Sequence, residues 1–347
     1  MKRLTAALAL PVVVAAVPLL AAPTTTSAAP VSTATAATTT TATTATTATT
    51  ATSATTGGLP TTYRLQGDEG GSKFEGIGAD PRSGLFYVSE TTGGEIHRGH
   101  ALRRGTQQWL TGDGTDGRHT ARGVTVDGAG RVYVAGGPNG IGTGRPDLWV
   151  YSPDGTLLAA LRAPADDVFL NDVVIGPDGA AYFTNSNAPQ VFRVARGADG
   201  WGVELWADAT GTVPRADGFN LGGLVVTADR RALVVAQGNT GALWRVDLRS
   251  RAVTPVDTGG ADLVDADGLV RQGGRLLVVR NFSRSLATLT LSADGRRARL
   301  LSQQATDPTR VLTTAASLWG RVLYVDSKFD ESVAAPPYEV VTCPVAR

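Results

Sequence analysis

The chain has 347 residues with 32 basic and 31 acidic side chains, a formal net charge of +1. That balance leaves no basic face for nucleic acid or an anionic membrane surface, so the partner it suggests is a small or neutral molecule. A single cysteine, Cys343, excludes an internal disulfide and any multi-cysteine zinc site; it reads as a small buried hydrophobe in the last strand.

In chain order, residues 1–29 read as a secretory signal peptide. Lys2 and Arg3 form the positive n-region, residues 8–20 the apolar h-region, and Ala21, Ala22, Ser27, Ala28 and Ala29 offer small side chains for cleavage. The apolar run is shorter than the roughly 18 to 20 residues a membrane span requires, which argues against an uncleaved anchor. Residues 30–58 are a Thr/Ala-rich linker without aromatic side chains, unable to bury enough apolar surface to offset its ordering entropy, and are expected to be disordered. The expectation is a secreted, extracellular protein, monomeric and not inserted in the membrane after cleavage, with its folded domain at 59–347.

Within that domain one phrase returns six times: a mostly polar residue, Gly or Asp, an apolar strand, a tight turn and a second apolar strand. The copies open at Glu75, Arg122, Asn171, Gly222, Asp267 and Thr309, at intervals of roughly 42 to 51 residues, a period of propeller blades. Asp127-Gly128, Asp178-Gly179 and Gln272-Gly273-Gly274 supply hairpin turns between the first two strands. Third strands are expected at 147–152, 190–195, 242–248 and 285–291, and fourth strands at 157–161, 202–206, 252–256 and 298–302. Almost no segment has helical periodicity. The chain is therefore all-β, a six-bladed β-propeller of four-stranded antiparallel blades. Closing the ring needs a strand from one terminus to complete the blade formed by the other, and residues 61–66 are expected to pair as the outer strand of the sixth blade.

Because each blade's innermost strand starts at one end of the central channel, the opening residues converge on a shared rim. Two carboxylates and an amide across a channel, Glu75, Asp267 and Asn171, are oxygen donors suited to a hard cation such as Ca²⁺. His97, His100 and His119 raise the competing reading of a redox-metal site; His97 reads as part of the second strand of blade one and His100 as part of the following turn, which places the three at the surface. The glycine-rich stretch 136–142 resembles a phosphate-binding loop in composition only, as no helix follows it. Trp149, Trp201, Trp206, Trp244 and Trp319 read as packing between blades, and Trp109 as a candidate stacking platform for a sugar.

The phrases Phe74-Glu75-Gly76 with Asp80-Pro81 and Leu85-Phe86-Tyr87-Val88, Leu170-Asn171-Asp172-Val173 with Gly176-Pro177-Asp178-Gly179 and Tyr182-Phe183-Thr184, and Asp267-Gly268-Leu269 resemble the SMP-30/gluconolactonase family, over about residues 70 to 330. The resemblance implies a six-bladed propeller holding one divalent metal, usually calcium, through a Glu, two Asn and an Asp, and in many members lactone hydrolysis. Carried onto this chain, the metal ligands are Glu75, Asn171 and Asp267; for a metal-assisted hydrolysis Asp267 then reads as the catalytic base as well, and Arg122 or Asn220 as the residue that orients the substrate. The family's Asn-Gly-Leu opening of the fourth blade reads Gly222-Gly223-Leu224 here, with Asn220 the candidate to stand in if its loop bends inward. An Arg that precedes the first Asn by two residues in the sugar-acid enzymes is Phe169 here, which speaks against an aldonolactone. Two functions follow: a calcium-dependent hydrolase of a lactone or similar small ester, and a non-catalytic propeller with a structural calcium that binds a ligand or cell-envelope partner.

Overall fold

The computed structural model describes residues 58–112, 114–137 and 146–345. The segment expected to be a signal peptide, all but the last residue of the expected linker, and most of the glycine-rich stretch 136–142 lie outside the described residues. Six four-stranded antiparallel sheets follow one another along the chain. Their inner strands are Phe74–Asp80, Val124–Val126, Leu170–Ile175, Leu221–Val226, Ala266–Gln272 and Leu312–Leu318. The first strand of the chain, Thr62–Leu65, pairs with the last, Tyr338–Val341, as the outer strand of blade six. This closure joins the two ends of the domain through a backbone ladder, and the radial arrangement leaves only short, protected edges.

The hairpins turn where aspartates hold the backbone. Asp127 Oδ1 accepts hydrogen bonds from the amides of Ala129 and Arg131, Asp178 Oδ1 from Ala180, and Asp229 Oδ1 from Arg231, the local geometry that favours Asp in tight turns. Alternating apolar residues then face the neighbouring blades. The buried side chains form six separate clusters, each shared by two adjacent blades. Apolar burial, the main favourable term in folding, therefore acts between blades around the whole ring.

At the axis the inner strands share one irregularity. Pairing slips between Phe74 and Ile77, Leu170 and Val173, Leu221 and Leu224, Ala266 and Leu269, and Leu312 and Ala315. Each slip is a β-bulge, which bends a strand and re-aims its side chains, and it falls on Glu75, Asn171, Gly222, Asp267 and Thr313. The sixth opening residue is thus Thr313 and not Thr309. Thr309 belongs to a preceding turn in which Asp307 Oδ1 accepts hydrogen bonds from its amide and hydroxyl, so the apolar run beginning at Val311 enters the sheet later than its pattern suggests.

The glycines one position further on set how closely the blades approach. A Cβ on Gly76 would lie 2.1 Å from the carbonyl oxygen of Arg122, and one on Gly223 2.3 Å from that of Asp267, both backbone atoms of the next blade. We expect Gly76→Ala to destabilise the domain by about 1–3 kcal/mol, the cost of overpacking a rigid interior. Thermal denaturation checks this, and an unchanged melting temperature would show that the inner strands can separate without cost.

Three local expectations change. His97 lies in the third strand of blade one, Ile96–His100, and is buried, while His100 ends that strand; the second strand is Leu85–Glu90. Cys343 is exposed, because pairing stops at Val341. Trp319 is an exposed turn residue that donates from Nε1 to the Pro81 carbonyl. Trp149, by contrast, is buried between blades one and two, and Trp109 packs against the same cluster beside Tyr87.

Candidate functional site

The starts of the inner strands converge on a cavity of about 490 Å³ lined by Glu75, Arg122, Asn171, Asn220, Gly222 and Asp267, among others. Glu75, Asn171 and Asp267 also border a second cavity, of about 10 Å³, together with Asp172 and Thr314. The site is braced by hydrogen bonds between blades. Thr313 Oγ1 donates to the Glu75 carbonyl at 2.9 Å, Gly123 N to the Asn171 carbonyl at 2.7 Å, and Thr184 Oγ1 to the Gly222 carbonyl at 2.8 Å. The opening residues are thereby held by backbone, a rigid mounting for their side chains.

The carboxylates at this end of the channel are strongly perturbed. Burial raises Glu75 well above the usual carboxylate range; the Asp267 charge adds to this, Arg122 opposes it, and Asp172 contributes further. Asp267 is pushed up to about 7, first by burial and then by the charges of Asp172 and Asp265, against a hydrogen bond that Asn281 Nδ2 donates to its Oδ2 at 2.8 Å. Asp172 rises to about 6 by burial, although the amides of Val173 and Leu224 donate to it. Asp172 and Asp267 keep some accessible surface, but they line the narrow channel, whose walls and not bulk solvent surround them. Three acids crowded there, with Arg122 as the counter-charge acting on Glu75, disfavour their own ionisation.

Glu75 Oε2 is buried with no hydrogen-bond partner among the described residues. An enclosed carboxylate oxygen without a donor is costly when ionised unless a cation meets it. With the second carboxylate of Asp267 and the amide oxygen of Asn171, the residues present fit a hard divalent ion with water completing its shell. Gly222 contributes no side chain; a Cβ there would lie 3.7 Å from Asn171 Oδ1. Asn220 lines the cavity, but its Oδ1 accepts from Ala216 N at 3.0 Å and Gln237 Nε2 at 3.2 Å, while Nδ2 donates to the carbonyls of Ser186, Ala216 and Gly218. Its amide thus fastens the loop that precedes blade four. Arg122 is buried and places its guanidinium carbon 3.6 Å from the centre of the Phe169 ring.

The histidines do not share a centre. His97 packs between Phe74 and Glu90, with Nε2 3.3 Å from Glu90 Oε2; His100 meets Trp319 edge-on; and the His119 ring lies against Gly114. Among the described residues, the group of three ligand-type side chains with atoms within 4.8 Å of one another is Asp68, Glu90 and Glu95, which contains no histidine.

Several site residues escaped the sequence reading. Asp172 takes the bulge position that is glycine in four other blades, a departure visible in the aligned repeats. Asn281, which fixes Asp267, follows the second strand of blade five and carries no signal in the repeat. Phe219, Phe282 and Phe329 line the cavity from connecting segments, where no periodicity marks them.

No protein-family profile matches the sequence, and no curated protein does. Solved structures do share its fold. The major allergen of Malassezia sympodialis superposes with a TM-score of 0.62 at 15% identity, over 82% of this chain and 96% of that one. A gluconolactonase from Xanthomonas campestris gives 0.55 at 16% identity, over 78% and 85%. Regucalcin from Agrobacterium tumefaciens, described as a calcium-binding protein, gives 0.53 at 14%, over 80% and 95%. Fold and site define a six-bladed β-propeller with an oxygen-lined cavity at the axis, and the propeller fold is what it has in common with the gluconolactonase and regucalcin structures.

Proposed function

We propose that this protein is a secreted, divalent-cation-dependent hydrolase that opens a lactone or similar small ester in the axial cavity. The observation that carries the reading is Glu75 Oε2, buried without a donor beside Asp267 and Asn171. These three residues would hold the ion, and Ca²⁺ suits an all-oxygen donor set. When bound, it supplies Lewis-acid polarisation of the ester carbonyl and stabilisation of the oxyanion. Asp267 is the carboxylate placed to orient the attacking water, take its proton and return it to the ring oxygen that leaves as the acyl C–O bond breaks: Asn281 fixes one of its oxygens, and a held geometry removes much of the entropic barrier. Arg122, stacked on Phe169, gives the cavity a fixed positive charge that attracts the carboxylate product. Residues 1–29 support export, the substrate is a small molecule, and the protein acts as a monomer.

The test is hydrolysis of a panel of lactones by the purified protein before and after chelation. Turnover should fall at least 100-fold with chelator and return with Ca²⁺. The second reading, a non-catalytic propeller with a structural cation, is favoured by one feature, the missing side chain at Gly222. Retained stoichiometric Ca²⁺ with no turnover of any lactone would decide for it.

A further inference from the structure

The chain has eight phenylalanines, and they divide into two groups. Phe74, Phe86, Phe183 and Phe192 are fully buried between blades. The other four, Phe169, Phe219, Phe282 and Phe329, all line the axial cavity. They come from blades three, four, five and six in turn, so they form an arc around one side of its mouth. Phe169 and Phe219 are in contact, with ring centres 4.8 Å apart at 44°. Phe219 and Phe282 are the most open, 58% and 51% exposed, an unfavourable state for large apolar rings unless a ligand covers them.

Polar neighbours of this arc are partly engaged, with Asn239 Oδ1 left as a buried acceptor without a partner among the described residues. Asp265 Oδ2 accepts a hydrogen bond from Ser283 Oγ at 2.6 Å, and Asn239 Nδ2 donates to the carbonyls of Ala216 and Asp217. Phenylalanine brings no hydrogen-bonding group of its own, so a polyhydroxylated ring laid on these four faces would lose water and gain no partner from them. Carboxylates, an amide and a guanidinium meet the polar end of a ligand, while the aromatic arc meets its apolar end. The cavity volume lies within the range of about 300–1,000 Å³ for small-molecule sites, with room for both.

We infer that the substrate is an amphipathic lactone or cyclic ester bearing an aryl or alkyl substituent, its ester group near Glu75, Asn171 and Asp267 and its substituent held among Phe219, Phe282 and Phe329. This rests on the hydrolase reading of the same cavity, and a binding measurement separates the two. The probes are non-hydrolysable lactams of one ring size, carrying either a phenyl or several hydroxyl substituents, titrated into the Ca²⁺-loaded full chain by calorimetry, alongside kcat/KM for the corresponding lactones. The phenyl lactam should bind at least tenfold more tightly than the hydroxylated one. Phe219→Ala and Phe282→Ala, at exposed positions that the core does not need, should each weaken phenyl-lactam binding about tenfold while leaving the affinity for Ca²⁺ and the melting temperature unchanged. Equal or tighter binding of the hydroxylated lactam, no binding of the phenyl lactam, or phenyl binding indifferent to both substitutions would overturn the inference. Phenyl-lactam binding that depends on Phe219 and Phe282, with no turnover of any lactone, would support the ligand class and overturn the hydrolase.

Discussion

Glu75→Gln should abolish both cation binding and turnover while leaving the fold intact, and in chelator at pH 8 the variant should melt above the parent. Glu75 Oε2 is buried without a partner, and burial and the charges of Asp267 and Asp172 work against its ionisation. Removing that charge relieves repulsion in the empty site but takes away one of only two carboxylates among the three ligands assigned to the ion. A weakening of Ca²⁺ affinity by at least 100-fold is expected, as the ion must desolvate for a site with half the negative charge. Calcium titration by calorimetry and melting with and without chelator provide the two readouts. A variant that binds Ca²⁺ like the parent would remove Glu75 from the site, and one that is less stable in chelator would show that Glu75 serves the fold.

Stability should also fall with rising pH less steeply with the cation than without it. Asp267 and Asp172 have folded pKa values of about 7 and about 6, against the ordinary 3.8 of an aspartate. Because these values are raised, the stabilisation they contribute is full below about pH 4 and is lost as pH rises through 6 to 7, where the folded state must ionise groups it prefers to keep neutral. At 1.36 kcal/mol per unit, Asp267 alone accounts for a loss on the order of 4 kcal/mol. A bound cation favours the ionised forms and offsets part of that loss. Addition of Ca²⁺ at a hundred times its dissociation constant contributes about 2.7 kcal/mol, so at pH 8 the melting temperature should rise by about 5–10 °C. At pH 5 protons compete for the same oxygens, and the rise should be under 2 °C. Melting curves at both pH values check this, and a shift of equal size at both would show that the cation binds elsewhere.

The outline of the site was legible from the repeat. Glu75, Asn171 and Asp267 occupy one position of a recurring phrase, and equal positions in a closed ring must face a common axis. Gly222 was legible too, as the position without a side chain. Asp172 escaped notice because it fills the Gly-or-Asp place of the phrase, one step past the opening column, and only the bulge in that inner strand brings it to the channel. Thr309 misled for a related reason: hydrophobic pattern marks where a strand can begin, whereas hydrogen bonding from Asp307 decides where the chain is still turning.

By itself the sequence determined the architecture, since apolar alternation and tight turns at a regular period leave few ways to bury both faces of each sheet, and a terminal strand is needed to close the ring. It also determined which oxygen donors recur at the axis. Tertiary structure alone decided what those donors experience. Burial raises the carboxylates, neighbouring blades brace their backbone, Asn220 fastens its loop, and four phenylalanines from separate blades meet at one mouth. Such properties depend on distances between residues remote in the chain, and a repeat pattern carries position along the strand but not the depth, charge or company that position acquires when the ring closes.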